Sequence, residues 1–195
     1  MKLEKLKGGC YQMHNKFLRI KDIQTFGKRL LFLMLLGGFA MVSVAGSSPA
    51  VMPQAKIAVG DPAPSCTLPG LDGKAISLPE DGKGRAVIVH FWISGCRSCL
   101  REMPVIEALY QRYKARDLVV YAVNVRQSPR IAKAFADRLK ITFPIVLDRD
   151  GKIAGQFGAV GVPRTYFVDR KGVIKTKLIG EASQEELDKF IQEIL

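Results

Sequence analysis

Phe91-Trp92-Ile93-Ser94-Gly95-Cys96-Arg97-Ser98-Cys99 is the stretch on which the reading of this chain turns. It joins the apolar run Ala86 to Trp92 to a segment whose apolar residues recur at Leu100, Met103, Ile106, Tyr110 and Tyr113. The run has the length and unbroken apolarity of a strand buried on both faces, and the segment has the spacing of a helix with one apolar face. Two thiols therefore fall on the first helical turn, three residues apart and on one side of it. Unpaired amide donors and the positive end of the helix dipole favour a thiolate at Cys96. A pair so placed can open and close a disulfide, and the stretch points to that chemistry.

Working outward, Leu118 to Val125 reads as a second buried strand, and Pro104 predicts a kink in the helix before it. Ser128-Pro129 supplies a cap and a first-turn proline for a helix expected to turn Ile131, Phe135 and Leu139 inward. Ile145 to Leu147 is a short strand and Ile153 to Phe157 a short helix. Arg164 to Asp169 and Val173 to Ile179 make a hairpin, and Ser183-Gln184-Glu185-Glu186 is a capping box for a last helix with Leu187, Phe190, Ile191 and Ile194 on one face. On the other side, short strands around Cys66 to Leu68 and Ala75 to Leu78 flank an Asp72-Gly73 turn, and a Gly-rich turn from Asp81 to Gly84 closes that unit. The expected fold class is α/β, with a central mixed sheet flanked by helices.

The front of the chain is different. Residues 1 to 29 hold eight of the 30 Lys and Arg residues but only Glu4 and Asp22 of the 18 acids, and an apolar run from Leu30 to Ala45 follows. That is the layout of an export signal, with Ser43-Val44-Ala45 offering small residues for cleavage after Ala45. An uncleaved membrane anchor over residues 26–45 is the alternative, although Gly37 and Gly38 interrupt a run short of the roughly 20 residues a spanning helix needs. Residues 46–56, rich in Gly, Ser, Pro and Ala, read as a linker, and the folded domain as 57–195. Without the leader the net charge falls from +12 to about +6, scattered with no basic run, which argues against a nucleic-acid partner.

Taken together, the Cys96 to Cys99 motif after a buried strand, Pro104 five residues beyond it, and Gly161-Val162-Pro163-Arg164-Thr165-Tyr166-Phe167 before the hairpin resemble thioredoxin-like proteins. The exported TlpA/ResA/DsbE (CcmG) type is the one they resemble most, with its N-terminal hairpin and its inserted helix and strand, here about Pro129 to Leu147. The resemblance implies a thiol-disulfide oxidoreductase needing no cofactor or metal, with Cys96 as attacking thiolate, Cys99 as resolving thiol and a redox disulfide between them. It implies a cis Pro163 beside the pair, and Glu102 beneath the site as a buried acid that exchanges a proton with Cys99. Arg97 would stabilise the thiolate; Arg97, Val162 and Arg164 would touch the substrate chain, and Trp92, packed beneath the motif, would be a further contact or simply a core aromatic. The partners implied are protein thiols and disulfides, apocytochrome c among them, and a membrane electron donor of the CcdA/DsbD type, with the protein acting as a monomeric reductant at the periplasmic or outer face of the cytoplasmic membrane. Two positions depart from the family pattern: Gly95 stands where an aromatic residue is usual, and Arg97-Ser98 contains no proline.

A rival reading of another class is a copper-handling assembly factor, with Cu(I) held by the two thiols and Cys66 or Met103. Cys66 otherwise reads as a small buried hydrophobe and His90, within an apolar strand, as a satisfied core histidine. A cysteine hydrolase lacks an orienting partner for His90, and a peroxidase would want a Thr-x-x-Cys arrangement the chain does not have.

Overall fold

Every residue of β3 (Ala86–Trp92) is buried, because the strand is covered on both faces. Its side chains alternate: Ala86, Ile88 and Trp92 enter one core cluster and Val87, Val89 and Phe91 the other. The computed structural model describes residues 57–195, so the stretch 1–45 expected to be an export signal or anchor and the linker expected over 46–56 lie outside the described residues.

β3 pairs in parallel with β4 (Leu118–Val125), and β4 in parallel with β5 (Ile145–Asp148). On its other side β3 runs antiparallel to β6 (Arg164–Val168), which pairs with β7 (Ile174–Ile179). The order β5-β4-β3-β6-β7 makes one mixed five-stranded sheet, as the sequence predicts. The hairpin of β1 (Cys66–Pro69) and β2 (Ala75–Leu78) is a separate two-stranded sheet, tied to the β5 edge by the Gly70–Val146 bridge. The Gly-rich turn after it forms a single 3-10 turn, Glu80–Gly82, in which a Cβ on Gly82 would come within 2.5 Å of Val87.

Three helices supply the core on one face: α1 (Arg97–Tyr113), α2 (Pro129–Arg138) and, after β7, α4 (Gln184–Ile194). The short α3 (Lys152–Gln156) and the hairpin cover the other. α1 runs on through Pro104, and α4 begins with the capping box on Ser183 and Glu186.

Two expected core positions are corrected. Leu100 (39% exposed) and Ile131 (41%) face outward. The inward stripe of α1 is set by Cys99, Met103, Ile106 and Leu109, which leaves Leu100 past its edge. On α2 the small Ala132 and Ala136 beside Phe135 let the helix approach the sheet closely, so Ile131 stays at the rim. Tyr110, Leu139 and Phe190 are only partly buried.

Candidate active site

The end of β3 feeds a short loop, and the loop ends in Cys96, the N-cap of α1. Its backbone is extended there (φ −88°, ψ 116°), and its sulfur accepts a hydrogen bond from the Cys99 amide at 3.1 Å. The cap position normally taken by a Ser or Asp oxygen is thus filled by sulfur, which satisfies one of the helix's free amides and sets Cys96 at the positive end of the dipole. Cys96 and Cys99 are joined as a disulfide with their Cα atoms 5.2 Å apart. Cys96 is partly exposed and Cys99 wholly buried, so chemistry from outside reaches Cys96.

Facing the pair is the start of β6. The Val162–Pro163 peptide is cis, Pro163 is buried, and the Val162 carbonyl oxygen lies 3.8 Å from Cys96 Sγ. In the disulfide that sulfur has no proton; as a thiol it can donate to the carbonyl. Arg97 is exposed beside the pair. Arg164 is half-buried, with Nε shielded and unpartnered. Trp92 is corrected as a substrate contact: it is fully buried and stacks on Phe135 with centroids 4.9 Å apart, because it points from β3 into the helix-covered core.

Beneath the pair, Glu102 is 1% exposed on the same face of α1 as Cys99. Oε1 accepts from the Ala182 amide at 3.1 Å. Burial raises its pKa from 4.5 to about 7, against that hydrogen bond and helped by the Glu181 charge. His90, also buried, has Nδ1 2.9 Å from Thr165 Oγ1 and 3.8 Å from Glu102 Oε2. It is the core histidine the sequence suggests, satisfied at Nδ1 only, since Nε2 has no partner. Burial pushes its pKa down from 6.5 to about 3.

These shifts fix a stability profile. Unfolded, the histidine binds its proton below pH 6.5 and the glutamate releases its own above 4.5; folded, the glutamate keeps its proton to about 7 and the histidine stays neutral to about 3. Between pH 4.5 and 6.5 each state of the pair holds one proton, so the pair contributes no slope there. Above 6.5 only the folded state holds a proton, and stability falls as pH rises to about 7; below 4.5 the unfolded state binds more, and stability falls with falling pH. Glu102→Gln, which carries no titrating carboxyl, should gain on the parent from pH 4.5 to 8 by up to about 3 kcal/mol, read by urea unfolding of the oxidised protein. A constant offset across that range would show that Glu102 is not a raised carboxyl.

Cys66 is free, partly rather than fully buried, and packs in the cluster on the opposite face of the sheet from Cys96 and Cys99. Burial, with Asp148 nearby, pushes its thiol up to about 11. Met103 is sealed in the core, and among the described residues no three His, Cys, Asp or Glu side chains converge. The copper alternative has no support in this arrangement.

The AhpC/TSA family profile matches residues 59–177. The chain belongs to the AhpC/TSA family. Within it, the chain is 32% identical to thiol-disulfide oxidoreductase ResA of Bacillus cereus (strain ZK / E33L), over 71% of its own length and 80% of that protein. It is 38% identical to thioredoxin-like protein YneN of Bacillus subtilis (strain 168), over 67% of its length and 76% of that protein. A structure from Chlorobium tepidum, assigned to the thiol:disulfide interchange proteins of DsbE type, superposes with a TM-score of 0.67 at 28% identity, over 71% of this chain and 98% of that one. The protein is accordingly a thiol-disulfide oxidoreductase of the ResA/DsbE type with a thioredoxin-like fold.

In this AhpC/TSA-family oxidoreductase one part of the site escaped the sequence reading. Gln127, just past β4, accepts from the Ser94 amide at 2.8 Å and from Asn124 at 2.9 Å, and donates to Ser94 Oγ at 2.9 Å. One side chain thereby fixes the loop that presents Cys96. The available signal was Asn124, the one polar side chain with an amide in the apolar strand β4, next to its last residue and fully buried there.

Proposed function

We propose that this oxidoreductase is exported and serves as a reductant of protein disulfides in cytochrome c maturation or a related envelope assembly, with apocytochrome c cysteine pairs as its first candidate substrate. Residues 1–45 carry it to the periplasm or the outer face of the cytoplasmic membrane, as a cleaved signal or an anchor over 26–45; residues 46–56 link them to the domain 57–195. A membrane electron donor of the CcdA/DsbD type returns it to the dithiol form.

The observation that carries the reading is the asymmetry of the pair: Cys96 is partly exposed at a helix N-terminus, while Cys99 is buried on the helix face that also carries buried Glu102. Cys96, as thiolate, attacks one sulfur of the substrate disulfide and displaces the other, which takes a proton from solvent. Cys99 then gives its proton to the Glu102 carboxylate and attacks Cys96 Sγ, displacing the second substrate thiolate. Two electrons pass to the substrate and the protein is left as the disulfide. Pro163 and the Val162 carbonyl line the approach to Cys96, with Arg97 and Arg164 at the rim. A groove along Ile93, Gln127, Gly155, Val160 and Val162 continues from it and suits an extended substrate chain.

Equilibration of the Cys96/Cys99 couple with a thiol buffer tests the direction. A reductant should poise near thioredoxin's roughly −270 mV or below, whereas a value near DsbA's roughly −120 mV would reverse the electron flow.

A further inference from the structure

His90 on β3 and Glu102 on α1 face one another with 0% and 1% exposure, and His90 Nε2 and Glu102 Oε2 are both without a hydrogen-bond partner. The Ala182 amide already occupies Oε1, so Oε2 is the free oxygen. A buried N–H without an acceptor is costlier than a bare acceptor nitrogen, so the neutral ring carries its proton on Nδ1. Two acceptors are near that proton: Thr165 Oγ1 at 2.9 Å and Glu102 Oε2 at 3.8 Å. The hydroxyl of Thr165 is neutral in both states; the carboxylate is the better acceptor once it is charged.

We propose that His90 is a positioning residue for the resolving step, its Nδ1–H turning from Thr165 to Glu102 Oε2 when that carboxyl is ionised and so holding a carboxylate ready for the Cys99 proton. This rests on the reading of Glu102 as the proton acceptor of Cys99. His90 gains and loses no proton: one proton moves from Cys99 Sγ to Glu102, after which the ring N–H returns to Thr165. The groups facing the pocket are few. Glu102 comes from α1, neutral Thr165 from β6, and the Glu181 charge from the turn before α4, where it is bound by Arg101 at the surface. Among the described residues no lysine or arginine pairs with the buried carboxylate, Arg101 being bound to Glu181, which leaves the histidine N–H to offset it.

The test uses the reduced full chain and dithionitrobenzoate. Attack by Cys96 releases one thionitrobenzoate and leaves the other bound; attack by Cys99 releases the second, and its rate is followed against pH. His90→Leu should move the midpoint of that second phase upward by about one unit and slow it about tenfold below the midpoint. His90→Asn, which keeps a donor near the Nδ1 position, should restore the parental profile. Thr165→Val, which removes the competing acceptor, should move the midpoint downward. None of the three should shift the profile in a Glu102→Gln background. If Glu102→Gln flattens the profile but His90→Leu leaves its midpoint in place, the role of His90 is refuted; if Glu102→Gln itself changes nothing, the Glu102 reading fails first. Should His90→Leu not fold, Thr165→Val decides alone, and an unmoved midpoint overturns the proposal.

Discussion

Cys99→Ser should convert the protein into a trap: mixed with a disulfide substrate in its reduced form, it accumulates a covalent adduct through Cys96 and turns over at least about a thousandfold more slowly. The reason is the geometry of the pair. Cys96 keeps its place as the cap of α1 and its partial exposure, so the first attack proceeds; nothing buried behind it can then release the substrate. Cys96→Ser should give neither adduct nor turnover, since Cys99 is wholly enclosed and cannot meet a substrate sulfur. Non-reducing electrophoresis followed by mass measurement reads both results. An adduct formed by Cys96→Ser and not by Cys99→Ser would invert the assigned order.

Trp92→Ala should cost about 3–5 kcal/mol of stability. The ring is fully buried, stacks on Phe135 and packs in the cluster that also holds Cys99 and Met103. Its removal opens a cavity between the sheet and α2 at the strand end that launches the Cys96 loop. Urea unfolding should show a lower midpoint with little change in slope, while Trp92→Phe, which retains a ring, should lose less than half as much. A loss below about 1 kcal/mol for alanine would mean that the surroundings collapse into the space and that the ring is not a pillar of the site.

The difference between a contact residue and a pillar marks where sequence reading stopped. Trp92 stands four residues before Cys96, and the resemblance offered it as a substrate contact; strand alternation sends it inward instead. Elements with strong local signals were legible: the unbroken apolarity of β3 and β4, the Asp72-Gly73 turn between β1 and β2, and the capping box of α4 all form where residue chemistry places them. Cys96, Cys99 and Pro163 were legible through motif and resemblance, and the structure brings them together. What stayed hidden depends on contacts between elements distant in sequence. The phase of α1 that turns Leu100 outward is set by the sheet beneath it, and the Gln127 clamp on Ser94 spans 33 residues. The His90–Thr165 bond spans 75, and no local pattern could have named that partner.

The central sheet separates Cys66 from the Cys96/Cys99 pair, and this has a consequence for traffic. With the two thiols on one face of the sheet and the third cysteine on the other, the described domain has a single station: it is either charged with one electron pair or empty, and no second couple inside it can hold an intermediate load. Donor and recipient must therefore call at the same doorway beside Cys96, one after the other, and each excludes the other while bound. Throughput is then governed by how quickly visitors leave that doorway as much as by how quickly sulfur attacks sulfur.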